Sequence, residues 1–331
     1  YFSSGSIVKK YFTELLSLDM NVNNEYYVSL VYNLLVRDGL QVKLFEIDKM
    51  LQWGTPYDLE IYKGWSRYFS SSYVQQDFTL VFPMAGKGER FSKDGYIQPK
   101  PLLPVDGVPM FVKAVECLPL HKDSVFICLK EHVGIEDTVR RHVPNAKVCL
   151  IDAVTSGQAC TCEIGIRSIG IRDDDPILIS ACDNSAVYDR QKFIDLVRDE
   201  TNDVIVWSFQ NHPTGKANPD MYSWLDVDED GRIYNVSCKA FVPGRTHAII
   251  GTMYFRKAKY FLDGLKANQK INRTTNQEFY VDDVLNQNIA AGLKVKVFAV
   301  DQYICWGTPN DYRTYNYWKD YFAEHNRDQQ L

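Results

Sequence analysis

The stretch that decides how this chain is read is Thr79–Phe111, TLVFPMAGKGERFSKDGYIQPKPLLPVDGVPMF. It opens on an apolar run, Thr79–Met84, that reads as a buried strand. A glycine-rich turn follows at once: Ala85-Gly86-Lys87-Gly88-Glu89-Arg90-Phe91. Two glycines just past a strand end let the backbone approach phosphate oxygens, because no Cβ stands in the way. A polar segment then leads to Pro99-Lys100-Pro101, where prolines on both sides stiffen the backbone and hold one ammonium in place. Arg90 and Lys100 put fixed positive charge at the same mouth. The chemistry suggested is the handling of a polyphosphate. The glycines match neither the P-loop nor the dinucleotide fingerprint, since no Gly-Lys-Ser/Thr follows and Phe91 stands where a third glycine would.

Outward from this stretch, strand and helix patterns alternate. Pro109–Leu118 reads as helix, Ser124–Leu129 as strand, 132–142 as helix and Ala146–Ile151 as strand. Gly157–Ile169 is helical in pattern, Pro176–Cys182 is a strand ending at Asp183-Asn184, and the helix 190–200 precedes the strand Asp203–Phe209. That alternation predicts an α/β sheet, mostly parallel, with helices on both faces. From Met221 the texture changes to strands and turns (222–227, 233–239, 248–255), a β-rich extension able to wall off a second substrate. A helix over 277–291, a strand over 294–300 and a helix over 310–324 close the domain.

The chain also matches itself. Residues 1–70 align without a gap to 254–323, and about a third of the positions are identical. Glu25-Tyr26-Tyr27-Val28 meets Glu278-Phe279-Tyr280-Val281, and Trp53-Gly54-Thr55-Pro56 meets Trp306-Gly307-Thr308-Pro309. The reading is a partial repeat at 1–72, equal to the last third of a domain, followed by a complete domain at 77–325, with a short linker near Ser70-Ser71-Ser72. The partial copy holds only closing elements, so Leu44, Phe45 and Ile47 need either a missing partner or packing against the complete domain to bury them. The chain opens on Tyr1 rather than Met, which reads as a fragment.

Composition narrows the class. A net charge of −5 gives no reason to expect a nucleic-acid surface, and no apolar run reaches the length of a membrane span. The eight cysteines form no Cys-x-x-Cys pair and read as small core residues in a reducing cytoplasm. Asp183, directly after an apolar strand, sits at the sheet edge where ligands bind in open α/β folds. A carboxylate there suits Mg²⁺, which completes its shell with water and substrate phosphates. Asp226-x-Asp228-x-Asp230-Gly231 imitates a calcium loop, but Ser237 falls where a bidentate Glu is required and strands flank it, so it reads as a hairpin turn. Asp173-Asp174-Asp175 precedes its strand and reads as a solvated loop.

The run Pro83-Met84-Ala85-Gly86-x-Gly88-x-Arg90-Phe91, continued by Pro99-Lys100-Pro101-Leu102-Leu103-Pro104-Val105-x-Gly107-x-Pro109-Met110, resembles the sugar-1-phosphate nucleotidyltransferases (NDP-sugar pyrophosphorylases). Weaker matches at Thr155–Ala159, Ala181–Asn184, Ser237–Lys239 and Gly251–Phe255 extend the likeness over 77–325. The resemblance implies a Rossmann-like (GT-A-like) fold and the reaction of an NTP with a sugar 1-phosphate to give NDP-sugar and pyrophosphate. It implies that Ala85, Gly86, Lys87 and Gly88 cradle the triphosphate and that Arg90 grips the leaving pyrophosphate. Lys100 would lie between the α-phosphate and the attacking sugar phosphate. Gly157 and Gln158 would face the base, Asp183 would hold Mg²⁺, and Lys239, Ser223, Gly251 and Glu278 would line the sugar site. Three positions depart from the family pattern: Cys305 (or Trp306) replaces a second metal-binding Asp, Cys238 replaces the Glu before the sugar-site Lys, and Ser223 replaces a Gly. Asp282, Asp283 or Asp301 are the carboxylates left to complete a metal site. An alternative from a different class is a catalytically silent nucleotide-sugar-binding module. A sugar-transferring enzyme would need a metal-binding Asp-x-Asp after a strand, and the sequence offers only the run at Asp226–Asp230 read as a hairpin turn. Oligomerisation, or contact with a missing repeat, is open on either reading.

Overall fold

The apolar run at Thr79–Met84 becomes the middle of a sheet because its residues face packed layers on both sides. In the computed structural model, which describes residues 1–47, 50–73 and 75–325, the chain divides into two units, Tyr1–Lys63 and Gly64–Leu331. The larger unit is built on a sheet of nine strands: β1 (Gln76–Met84), β2 (His121–Leu129), β3 (Lys147–Ile151), β4 (Ile177–Ile179), β5 (Val204–Phe209), β6 (Trp224–Val227), β7 (Ile233–Ser237), β8 (His247–Phe255) and β9 (Val295–Ala299). Their order is β7-β6-β8-β4-β1-β2-β3, with β5 paired to β8 and β9 to β5. β1 is parallel to β2 and β4, β2 to β3, and β5 to β9. β8 runs antiparallel to β4, β5 and β6. Its register against β5 breaks around Gly251 (φ +90°), a kink that lets one half of β8 pair with β4 and the other with β6.

Side chains alternate between the two faces with the strand period of two. Leu80, Phe82, Phe126 and Trp207 enter one core with Met110, Phe111 and Phe193. Val81, Val125, Ile127 and Val206 enter the other with Cys162, Phe261 and Leu285. Helices therefore cover both faces: Met110–Cys117, Ile135–His142 and Arg190–Arg198 on the first, Gln158–Ser168, Ala258–Lys270 and Val281–Ala290 on the second. No helix among the described residues is long and apolar enough to cross a membrane.

Several elements differ from their sequence reading. The strand expected over 176–182 ends at Ile179. Asn184–Val187 instead forms a separate antiparallel ladder with Gln302–Cys305. The helix expected from Gln277 begins at Val281, because Asn276 and Gln277 adopt left-handed φ and Thr275 bridges Glu278. Helix Ala258–Lys270 was not anticipated. Asp228–Gly231 is a hairpin turn as read, closed by Gly231 N–H donating to Asp228 O and Asp228 N–H donating to Arg232 O.

In the smaller unit, helices Gly5–Ser17 and Val28–Arg37 pack through Tyr11, Leu15, Val31, Leu34 and Leu35. Ser70–Ser72, expected as a linker, lies inside helix Pro56–Tyr73, which serine tolerates at modest cost. The elements of the first 70 residues recur 253 positions later. Gly5–Ser17 corresponds to Ala258–Lys270, Val28–Arg37 to Val281–Ala290, and the bridge Val22–Glu25 to Thr275–Glu278. Left-handed Asp19, Asn23 and Asn24 fall opposite left-handed Asn272, Asn276 and Gln277. Burial does not recur: Phe45 is 90% exposed where Phe298 is 5%, and Trp53 is 60% exposed where Trp306 is 1%.

Candidate active site

A cavity of about 510 Å³ opens beyond the carboxyl ends of β1 and β4. Its floor is the turn Ala85–Gly88, which leaves β1 and enters the short helix Glu89–Lys93. Gly88 is the left-handed residue of this turn (φ +62°) and lies against Lys100, whose Cβ a Cβ on Gly88 would meet at 3.1 Å. A Cβ on Gly86 would meet nothing within 4 Å, so that glycine leaves open space for a ligand instead of packing.

Lys100 stands on a 3₁₀ turn, Lys100–Leu102, between its two prolines. Its Nζ donates to Asp183 Oδ2 at 2.5 Å and to Gly307 O at 3.3 Å, and lies 5.6 Å from the Phe91 ring. The pair is largely enclosed, with side-chain exposures of 17% and 28%. Burial weighs against charge on both groups, but their mutual attraction and hydrogen bond outweigh it. The Asp183 carboxyl is held below the usual carboxylate range and the Lys100 ammonium above the usual lysine value. Asp183 is tethered through its backbone, Trp306 N–H donating to its carbonyl at 2.8 Å. Asn184, next along, donates to Ile250 O at 2.9 Å and so ties the site to β8.

The third wall is the N-terminus of helix Gln158–Ser168. Its cap, Gly157 (φ +127°), is pressed against the chain at Phe279, where a Cβ would lie 2.5 Å from the Phe279 N and 2.6 Å from its O. Two backbone bonds hold the contact: Phe279 N–H to Ser156 O at 2.8 Å, and Ala159 N–H to Phe279 O at 3.0 Å. Thr155 Oγ1 donates to Gly157 O at 2.7 Å and accepts at 2.7 Å from the hydroxyl of Thr161, a residue the sequence did not single out. The same contact brings Glu278 into the cavity wall.

Of the residues expected at the site, the structure brings together Ala85, Gly86, Lys87, Gly88, Lys100, Gly157, Gln158, Asp183 and Glu278 around one cavity. Arg90 is exposed on helix Glu89–Lys93 and does not line it. Ser223, Lys239 and Gly251 do not line it. A Cβ on Gly251 would sit 3.4 Å from Ala181, a lining residue. Lys239, in a left-handed turn (φ +49°), donates from Nζ to Met221 O at 2.9 Å and reaches to 5.4 Å from the Tyr280 ring. Ser223 Oγ donates to Asp282 Oδ2 and accepts from Lys239 N at 3.2 Å. Burial, then the neighbouring Glu278, pushes Tyr280 up to about 12. Asp282 and Asp283 are the residues sequence reasoning placed only loosely. Both are buried at the start of helix Val281–Ala290, Asp282 on Ser223 and Asp283 on Thr275 at 2.8 Å.

No group of three or more His, Cys, Asp or Glu side chains among the described residues is placed to hold an ion. Asp183 already has Lys100 on one oxygen, and its neighbour across the Asn184–Cys305 ladder is a thiol, pushed up to about 11 by burial. Asp282 and Asp283 are engaged in their own cluster, and Asp301 is exposed. A single carboxylate facing an open cavity suits Mg²⁺ only when substrate phosphates supply the remaining oxygens.

No protein-family model and no curated protein matches this sequence. Solved structures do match in three dimensions. A nucleoside-diphosphate-sugar pyrophosphorylase from Vibrio cholerae RC9 aligns with a TM-score of 0.57 at 19% identity, over 72% of this chain and 98% of its own. The inositol-1-phosphate CTP transferase of T. maritima aligns with a TM-score of 0.55 at 14% identity, over 73% of this chain and 96% of its own. This chain has their fold. It is the mixed α/β fold expected from the sequence, with the cavity at the carboxyl edge of its central parallel strands.

Proposed function

We propose that the chain transfers a nucleotidyl group from an NTP to a sugar 1-phosphate or similar phosphorylated small molecule, giving NDP-sugar and pyrophosphate. The observation that carries this reading is the convergence of a glycine turn with open space, a proline-clamped lysine, a helix N-terminus and one carboxylate on a single cavity. A phosphate oxygen of the acceptor attacks the α-phosphorus, the bond from α-phosphorus to the bridging oxygen breaks, and pyrophosphate leaves with the electron pair. No general base is needed, because the acceptor is already an anion at neutral pH. The demands are to hold two anions in line and to neutralise the charge on the leaving group.

The backbone N–H groups of Ala85–Gly88 take the triphosphate, and Arg90, free on the surface beside them, closes on the departing end. Lys100 contacts the α-phosphate and the incoming oxygen. Gly157 and Gln158 face the base, and the cluster of Ser223, Lys239, Gly251 and Glu278 orients the acceptor. Magnesium arriving on the triphosphate would take Asp183 as its protein ligand and neutralise phosphate charge. A cytoplasmic site of action belongs to the same reading, resting on the cysteine usage. The test is pyrophosphate release across a panel of NTPs and sugar or polyol phosphates. Lys100→Ala should lower the rate by about 10²–10³-fold, the usual cost of one charge-stabilising contact. No release by the wild-type chain across the panel defeats the proposal. Nucleotide-sugar binding by calorimetry without turnover would favour the silent module, a reading supported by Cys305 beside Asp183.

We also infer that residues 1–72 are a partial copy of the closing part of the domain at 77–325. The support is the shared spacing of helices, bridge and left-handed residues, with apolar side chains exposed where their counterparts are core.

A further inference from the structure

In the nucleotide-free chain, the cation on Asp183 is Lys100. The ammonium sits 2.5 Å from Oδ2 in a pair that is mostly enclosed, and its other bond, to Gly307 O at 3.3 Å, fixes it to the same wall. A divalent ion approaching Asp183 would therefore meet a resident positive charge. Beside the pair stands Cys305, a sulfur where a hard cation prefers oxygen: a Cβ on Gly307 would lie 3.4 Å from its Sγ and 3.5 Å from Asp183 Oδ2. Among the described residues nothing else completes a ligand set.

We propose that Lys100 is the built-in counter-ion of Asp183, so that this chain holds no divalent cation by itself and takes one up only together with the triphosphate. This rests on the nucleotidyl-transfer reading for its second half alone. When the α-phosphate arrives it competes with Asp183 for the ammonium, and the carboxylate is released to the ion that the triphosphate carries. Cation and nucleotide binding are then coupled, each strengthening the other by the same factor, about tenfold or more. Lys100 thereby keeps the carboxylate paired until substrate is present, and Cys305 removes the second carboxylate that would bind an ion in substrate's absence.

The deciding experiment is nucleotide-free titration with Mn²⁺, read by the loss of the free-ion paramagnetic resonance signal. Wild type and Asp183→Asn should leave the signal unchanged. Lys100→Met, which frees the carboxylate, and Cys305→Asp, which adds a second one, should each bind one equivalent, and Cys305→Asp combined with Asp183→Asn should lose it. Thermal unfolding of each variant confirms that it is folded, and two independent gain-of-binding variants guard against one failing to fold. One equivalent bound by wild type and lost in Asp183→Asn overturns the proposal. So does the absence of any gain in folded Lys100→Met, whatever Cys305→Asp does. No arm uses nucleotide or turnover, so failure of the pyrophosphate assay and failure of this inference are told apart.

Discussion

Replacing Gly157 by Ala tests whether the cavity depends on two chain segments held in backbone contact. A Cβ there would lie 2.5 Å from the Phe279 N, whereas ordinary contact begins at 3.4 Å, so the segments must part by about 0.9 Å. The atoms in the way are backbone and cannot rotate aside. Three costs combine. A non-glycine residue at φ +127° carries strain of about 1–3 kcal/mol. Overpacking adds about 1–3 kcal/mol. Weakening the bonds from Phe279 N–H to Ser156 O and from Ala159 N–H to Phe279 O costs about 0.5–1.5 kcal/mol each. Relaxation shares these terms, and a net loss of about 4 kcal/mol is expected. For a unit of this size that lowers Tm by roughly 10 °C. Gln158 and Glu278 move with the parted segments, and a displacement near 1 Å in a positioning residue costs on the order of 10²-fold in kcat/KM. Differential scanning calorimetry and nucleotide titration of the folded variant measure both effects. A variant that melts within about 2 °C of wild type and binds nucleotide equally well would refute the argument, because the contact would then be one that yields freely.

Gly86→Ala should behave in the opposite way: its Cβ meets nothing, so Tm holds, while nucleotide affinity falls if backbone approach to phosphate is what the glycine provides. Calorimetric titration beside a melting curve separates the two. Phe298→Ala should cost about 3–5 kcal/mol and Phe45→Ala, at the matching position, no more than about 0.5 kcal/mol, read from denaturant midpoints. Burial raises the Asp283 carboxyl above its usual value, an effect the hydrogen bond from Thr275 only partly offsets. A carboxyl raised in the fold weakens it as pH climbs from the unfolded value through the folded one. Asp283→Asn keeps an acceptor for Thr275, so it should stabilise at pH 7 relative to wild type, with the gain shrinking as pH falls towards about 4. Equal gains at both pH values in urea titrations would show that charge is not the cause.

The parts of this protein that were legible in sequence are those whose partners are close along the chain. β1 and its glycine turn are contiguous, and a strand buried on both faces announces itself as an unbroken apolar run. Helix Ala258–Lys270 hid for a physical reason. Of its buried residues only Phe261 and Leu265 are large and apolar; Ala258, Gly264 and Asn268 are small or polar where periodicity would show more of them. Gly264 is there because the neighbouring helix comes so near that a Cβ would stand 2.6 Å from Val284 Cγ1. Close packing thus erased the pattern by which helices are read.

The same limit governs the site. The glycine turn is legible in one stretch, but Lys100 meets Asp183 across 83 residues and Ser223 meets Asp282 across 59. Neither pairing has a local signature. The sequence offers Asp282 and Asp283 only as carboxylates left to complete a metal site, inside a helix read from Gln277. The structure buries both, Asp282 against Ser223 and Asp283 against Thr275, just after the Phe279 contact with the segment carrying Gly157. The two segments are therefore not independent: the chain around Gly157, which caps helix Gln158–Ser168, is bonded to Phe279, three residues before Asp282. A change at Gly157 should accordingly weaken binding of the acceptor phosphate as well as of the nucleotide. Titrating each ligand alone against Gly157→Ala would show it, and a loss confined to the nucleotide would mean the coupling through Phe279 is absent.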